Sequence, residues 1–285
     1  MAIMLLVRDH SLSYDTRLTD VFPDFPGYGR SITIRSLLTH TSGLPDYEDL
    51  LPQLSPQMRP ERKGQISDTG VLALLRQATT KFQPGTRWAY SNSGYVLLGE
   101  VVARVSHEPF HRFLHNHIFA PLGMDNTIAY IKGTNAVLNR AYGHSKQGGV
   151  WLETDQDAAS ATLGDGGVYS SLTDLAKWDD ELTRHSLLSE EEMQPALLPV
   201  AVPKADPTGV SNEPAAYGFG WFLNPYKSHL RMWHYGETIG FRTFIQRFTR
   251  NHLTVIILCN RSDLNPTALG ERVSDLFFSH EPLPR

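Results

Sequence analysis

The chain has 285 residues, of which 41% are hydrophobic and 20% charged, with a formal net charge of -4. That balance is too apolar for a disordered chain, fits one large domain or two subdomains sharing a core, and gives no bulk electrostatic reason to expect a nucleic-acid partner. Cys259 is the only cysteine, which excludes an internal disulfide and a Cys-based zinc site. The longest clean apolar runs, Met1–Val7 and Leu253–Cys259, are far short of the roughly 20 residues of a membrane helix, so no membrane span is expected.

Met1–Val7 reads as the second half of a buried helix, because no N-cap residue precedes it. The charge-first, small-residue-last pattern of a secretory signal is absent, and the location of the protein stays open. Asp20–Gly29, rich in Pro and Gly, predicts an irregular surface segment. Thr33 should cap a short helix carrying Leu37 and Leu38 and ending at Gly43. Residues 51–64 hold three prolines and no periodicity, the pattern of a loop. Asp68 is expected to cap a helix with Val71, Leu72, Leu75 and Ala78 on one face, Pro84-Gly85 to form a turn, and Ser93–Ser106 to be a buried helix. Pro109 suits the first turn of the next helix, running to about Phe119. Ser171 should cap another, with Leu172, Leu175, Ala176 and Leu182 inward.

After about Tyr217 the pattern changes. Tyr217–Leu223, Arg231–Tyr235, Phe241–Thr249 and Leu253–Cys259 are β-branched and aromatic runs that predict successive antiparallel strands, with Arg250-Asn251 as a hairpin turn. Asn265-Pro266 starts a last helix whose Leu269, Val273, Leu276 and Phe277 should cover one face of the sheet. Helices first, then a sheet with a helix on it, is an α+β pattern.

Three short motifs carry possible chemistry. His107-Glu108-Pro109-Phe110-His111 matches H-E-x-x-H, which binds zinc only when both histidines sit one turn apart on a continuous helix. Pro109 costs about 3 kcal/mol or more inside a helix, so His107 is better read in a loop, and a zinc-dependent hydrolase through His107, Glu108 and His111 is the weakest reading. Tyr90-Ser91-Asn92 follows a turn and precedes the buried helix. His234-Tyr235-Gly236 sits at a strand end before Glu237, where a glycine lets a ligand approach the backbone. Each of these two is weak alone.

Together with Leu38-Thr-His-Thr-Ser-Gly-Leu-Pro-Asp46, Pro121-Leu-Gly-Met124, Gly164-Asp-Gly-Gly-Val-Tyr-Ser170 and Tyr217-Gly-Phe-Gly-Trp221, they occur in an order that resembles the serine β-lactamase-related superfamily. It looks closest to the branch of class C β-lactamases, D-alanyl-D-alanine carboxypeptidases and β-lactamase-like esterases, over essentially the whole chain. The resemblance implies an α+β fold in which an antiparallel sheet with flanking helices (residues 1–32 and 216–285) packs on a mainly helical subdomain (33–215), with the cleft between them. It implies a small-molecule substrate (β-lactam, peptide or ester), an acyl-serine intermediate, and neither cofactor nor metal. Carried over residue by residue, Tyr90 is the proton shuttle, a role that needs nearby cations because a free Tyr has a pKa of about 10. Asn92 orients the lysine and hydrogen-bonds the substrate. His234 stands where related proteins have the lysine of K-T-G, and H-x-G leans toward an ester or peptide substrate. Gly236 and the backbone N–H of Glu237 belong to the oxyanion site.

One departure bears on mechanism. The family's Ser and Lys lie in S-x-x-K, but the residues three before Lys63, Lys81, Lys132, Lys146, Lys177, Lys204 and Lys227 are Pro60, Ala78, Ala129, Gly143, Asp174, Ala201 and Asn224. No G-x-S-x-G replaces it. The resemblance puts the nucleophile a few residues before Met1 and the family's first strands before that. Three explanations stay open: a shortened form of a normal hydrolase, weak or inactive as it stands; a noncatalytic ligand-binding relative; or another serine, Ser91 or Ser93, as nucleophile. Missing strands would leave a sheet edge unpaired, which lowers stability or invites self-association.

Overall fold

A computed structural model describes residues 1–51, 64–203 and 216–279; the sequence loop at 51–64 falls almost entirely outside them. The chain packs as two units, Met1–Leu138 with Ala158–Gly220, and Asn139–Asp157 with Trp221–Arg285. No described helix is long and apolar enough to cross a membrane.

The first unit is helical. Helix α1 (Ala2–Arg8) buries Ile3, Met4, Leu5 and Leu6 and ends on Arg8, whose charge suits the negative end of the helix dipole. Short helices α2 (Leu18–Val21), α3 (Ile34–Leu38) and α4 (Tyr47–Leu50) follow, then α5 (Asp68–Leu75). The central element is α6 (Asn92–Ser106), buried along Ser93, Gly94, Val96, Leu97, Leu98, Gly99, Val101 and Val102. Helices α1, α3 and α5 all pack on it, which explains why it is apolar nearly all round. It stops at His107, which adopts the left-handed conformation (φ 57°), so α7 (Phe110–Leu114), continuing as a π-helical turn through Phe119, is a separate helix. Helix α8 (Leu172–Arg184) and α9 (Glu190–Met193) complete the unit, with the two-residue pair β1 (Ile128–Ala129) and β4 (Val168–Tyr169).

The second unit is a three-stranded antiparallel sheet of β5 (Met232–Glu237), β6 (Arg242–Phe248) and β7 (Leu253–Cys259), in that order, with α10 (Pro266–Phe278) on it. His234 faces Ile245 and Gly236 faces Thr243 in the β5–β6 register. A separate hairpin, β2 (His144–Gln147) and β3 (Val150–Glu153), turns at Gly148-Gly149 with positive φ at both residues (56° and 87°), the geometry that matches the twist of paired strands.

Several sequence expectations change here. Phe22 and Phe25, in the segment expected at the surface, are buried: Pro and Gly report where a backbone turns, not which way its aromatic rings face. Ser67, not Asp68, caps α5; the Asp68 carboxylate instead accepts the Leu163 amide at 2.9 Å. The short helix after Thr33 ends at Leu38, before Gly43. Leu172 on α8 is exposed, while Asp174 and Glu181 are buried. Each is held: Asp174 accepts from the Asn126 amide and Thr127 hydroxyl, and Glu181 from the Leu187 amide, so the buried carboxylates are satisfied. Tyr217–Leu223 forms no strand; Phe222 makes a bridge to Trp233, and the Tyr217 carbonyl accepts the Val200 amide at 3.0 Å. Finally, α10 turns Pro266, Gly270 and Ser274 inward and leaves Leu269, Leu276 and Phe277 exposed. The reason is steric and polar. A Cβ on Gly270 would lie 2.3 Å from the Phe244 ring, and Gln246, fully buried on β6, donates to the Gly270 carbonyl and the Ser274 hydroxyl at 2.9 and 2.7 Å.

Candidate active site

Tyr90-Ser91-Asn92 forms the entry to α6, and its backbone is set by residues 38–46. That segment turns sharply. His40 has φ 55° and Gly43 φ 73°, and a Cβ on Gly43 would sit 2.3 Å from the Phe82 carbonyl oxygen, so only glycine fits there. The turned segment presents acceptors in a row. The His40 carbonyl accepts the Ala89 amide at 3.0 Å. The His40 ring Nδ1 accepts the Ser91 amide at 3.3 Å. The Asp46 carboxylate accepts the Asn92 amide at 2.7 Å, and its other oxygen caps α4 through the Glu48 amide. Burial raises the Asp46 pKa, and the amide bonds from Asn92 and Glu48 oppose that.

Tyr90 keeps 43% of its surface exposed, with its ring 4.2 Å from that of His40. Asn92 is the first residue of α6. Ser91 and Ser93 are buried, and both hydroxyls donate to the Pro45 carbonyl, at 3.3 and 2.8 Å. A nucleophilic serine needs a base at its proton; these two protons point at a carbonyl that helps to hold the loop. Both hydroxyls thus support the loop that carries Pro45.

In the second unit, His234, Gly236 and Glu237 share β5. His234 Nδ1 lies 2.8 Å from the Tyr235 carbonyl oxygen, so Nδ1 carries the proton and donates. Burial pushes the imidazole pKa below its ordinary value, with the Tyr235 bond opposing. In its neutral form the ring then has Nε2 in the acceptor role, which is a hydrogen-bonding rather than a charge-pairing group. Gly236 has a local reason to be glycine, since a Cβ there would meet the Thr243 hydroxyl at 2.6 Å; no ligand is needed to explain it. Trp233 exchanges both backbone bonds with Phe222, away from β6. Strand alternation sends the N–H groups of Tyr235 and Glu237 the same way, along the outer edge of β5. The Glu237 side chain lies 3.8 Å from Arg242 across the ladder.

The H-E-x-x-H residues form no ligand set. The left-handed turn at His107 and the start of α7 after Pro109 put the two histidines on different elements. Glu108 is occupied by Asn116 and by His117 at 3.1 Å. Among the described residues no group of three His, Cys, Asp or Glu side chains is arranged to hold a metal.

A sequence profile described as Beta-lactamase matches residues 1–277. The chain belongs to the beta-lactamase family. The family is one of serine hydrolases, and the fold is the penicillin-binding-protein and β-lactamase type. Penicillin-binding protein 4* of Bacillus subtilis is 29% identical over 276 residues, covering 92% of this chain and 58% of that protein. The chain spans about three fifths of the length of this and another curated relative from the same organism. Among solved structures, a penicillin binding protein from Bacillus halodurans is 28% identical with a TM-score of 0.76, covering 97% of this chain and 81% of that one. The D-amino acid amidase from Ochrobactrum anthropi is 25% identical with a TM-score of 0.78, covering 98% and 81%.

The sequence reading missed His40 and Asp46 as supports. Both stand inside the 38–46 motif that it quoted for the resemblance, but their partners lie far along the chain, and no local spacing announces such a contact.

Proposed function

We propose that these residues form the proton-shuttle and substrate-holding parts of an acyl-serine hydrolase site, acting on a small amide, peptide or ester carbonyl. The observation that carries this reading is the exposed Tyr90 beside a clamped Ser91-Asn92 backbone at the head of α6: a phenol that reaches solvent from a fixed base is suited to move a proton. In this reading Tyr90 takes the proton of an attacking hydroxyl and returns it to the leaving group. Asn92 hydrogen-bonds the substrate. The Glu237 N–H, directed along the strand edge, stabilises the oxyanion. A neutral His234 favours an ester or uncharged amide over recognition of a carboxylate by charge.

The attacking serine is not among these 285 residues in the S-x-x-K form, and Ser91 and Ser93 are engaged elsewhere. The chain alone therefore turns over little or nothing, and a noncatalytic ligand-binding role is the second reading, favoured by that same engagement. The test is to incubate the purified chain with a chromogenic cephalosporin, p-nitrophenyl butyrate and a D-amino acid amide, and to follow turnover and intact mass. An acyl adduct mapped to Ser91 or Ser93 overturns this account of the nucleophile. Saturable binding without turnover supports the ligand-binding role. An in-frame S-x-x-K in the DNA before the first codon, with activity once it is included, supports the hydrolase. Self-association is also proposed, through β7, an edge strand without a charged side chain; a concentration-independent monomer in sedimentation contradicts it.

A further inference from the structure

His40 is 2% exposed, and nothing about a buried histidine alone distinguishes it from ordinary packing. Its hydrogen bonds do. An amide N–H cannot donate to a nitrogen that carries a proton, so the bond from Ser91 requires a bare Nδ1. The proton of the neutral ring is then on Nε2, 3.1 Å from the Tyr217 hydroxyl. The Tyr217 hydroxyl bonds to that of Tyr95, and the Tyr95 hydroxyl donates to the Leu38 carbonyl at 2.9 Å. The donors run in sequence: Ser91 amide to His40, His40 to Tyr217, Tyr217 to Tyr95, Tyr95 to the end of α3. A ring flip would place carbon atoms where both nitrogens are needed. One face of the same ring lies against Tyr90, with planes 37° apart.

We infer that His40 is a positioning residue for Tyr90 and Asn92, with its Nε2–H tautomer fixing the Ser91 amide between them while its ring supports the Tyr90 phenol. The assignment rests on the reading of Tyr90 and Asn92 as site residues. It extends that reading by naming what sets their geometry, and it differs from a packing role by depending on two particular nitrogen atoms rather than on ring volume.

The two nitrogens can be separated by substitution. In His40→Asn the side-chain oxygen replaces Nδ1 as acceptor, and Asn tolerates the positive φ. In His40→Gln the polar group reaches toward Tyr217 and no acceptor remains at the Nδ1 position. Long-range proton–nitrogen spectra of the unaltered chain are expected to show Nδ1 bare and Nε2 protonated; the opposite tautomer, or a cationic ring near neutral pH, overturns the inference. Amide exchange at Ser91 is expected to rise about tenfold in His40→Gln, relative to the amides of Leu97 and Val101 in α6, and to stay near the unaltered rate in His40→Asn. Equal protection of Ser91 in both variants, or a rise spread evenly over α6, overturns it in favour of packing. Should both variants fail to fold, Tyr217→Phe applies the same test from the far side of the ring: loss of the Nε2 acceptor should raise Ser91 exchange several-fold, and an unchanged rate counts against the assignment. Turnover does not enter these measurements. A failed site reading shows itself separately, as an Asn92→Ala variant that binds the same ligands as tightly as the unaltered chain.

Discussion

At the head of α6 the amides of Ala89, Ser91 and Asn92 are bound by a remote segment, through one carbonyl, one imidazole and one carboxylate. His234, Gly236 and Glu237 are held differently, by a regular ladder to β6 in which each residue faces a partner. The difference decides where stability and geometry are concentrated. A ladder spreads its energy over repeated backbone bonds that any side chain permits. A clamp puts it into a few side chains that supply particular acceptor atoms. Substitutions at residues 40, 43 and 46 should therefore be costly and local, and those along β5 cheaper and more diffuse.

Two glycines test this most strongly. In the clamp, Gly43→Ala places a Cβ 2.3 Å from the Phe82 carbonyl at a positive φ, so backbone must move; the expected cost is about 3 kcal/mol or more. In the sheet unit, Gly270→Ala meets the Phe244 ring at the same 2.3 Å, but a side chain can rotate away, and about 1–2 kcal/mol is expected. Urea unfolding of the two variants gives the comparison; equal costs would break it.

Asp46 comes next. Asp46→Ala strips the acceptor from the Asn92 amide and the cap from α4, a loss of about 2 kcal/mol. Asp46→Asn keeps one acceptor oxygen and should recover roughly half of that. If the alanine variant melts with the unaltered chain, the carboxylate is not what holds the Asn92 backbone.

The two units should also respond to pH with opposite signs. Burial raises Asp68 from 3.8 to about 6, against the hydrogen bonds from Leu163 and Gly164, and the Asp165 and Glu100 charges add to the rise. Between those values the folded state binds more protons than the unfolded one, so the Asp68 contribution falls as pH rises through that window and is lowest above about 6. Allowing for its partial exposure, the swing is on the order of 1 kcal/mol. His234 is lowered by burial, so the unfolded state binds more protons just below the ordinary imidazole pKa, and the His234 contribution is lost as pH falls. Asp68→Asn should flatten the acid limb of the first unit's stability curve, followed by amide exchange in α5 and α6. An unchanged limb means that Asp68 ionises normally.

Helix starts at Thr33, Ser171 and Asn265 were legible because the cap and the helix it serves are neighbours: all three side chains accept the amide expected of an N-cap. The buried character of α6 was legible from its composition. Asp68 was misread because Ser67 beside it suits the same role, and what decided between them was a loop that begins far away at Leu163. The β2–β3 hairpin was missed despite its Gly148-Gly149 turn, since β3 is exposed throughout and shows no alternation to mark it. The clamp on Tyr90–Asn92 was invisible in principle. Its members are adjacent only after α3, α6 and the Tyr217 segment have packed.

The smallest effect gives the sharpest correction of pattern by structure. Leu276 belongs to the apolar stripe Leu269–Val273–Leu276 that the sequence assigns to the sheet, yet it is 66% exposed, whereas Gly270 and Ser274 face β6. If the stripe were buried, Leu276→Gln would remove a core side chain at a cost of about 2–3 kcal/mol. As α10 sits, the glutamine stands in water and the expected change is within about 0.5 kcal/mol. Ser274→Val, by contrast, takes the hydroxyl from buried Gln246, whose amide nitrogen donates to it at 2.7 Å, and should cost about 1–3 kcal/mol because a polar group is left short of a partner. Reversal of that order in thermal melts would mean that in solution α10 is rotated toward its apolar stripe, and with it the Gln246 network would be lost.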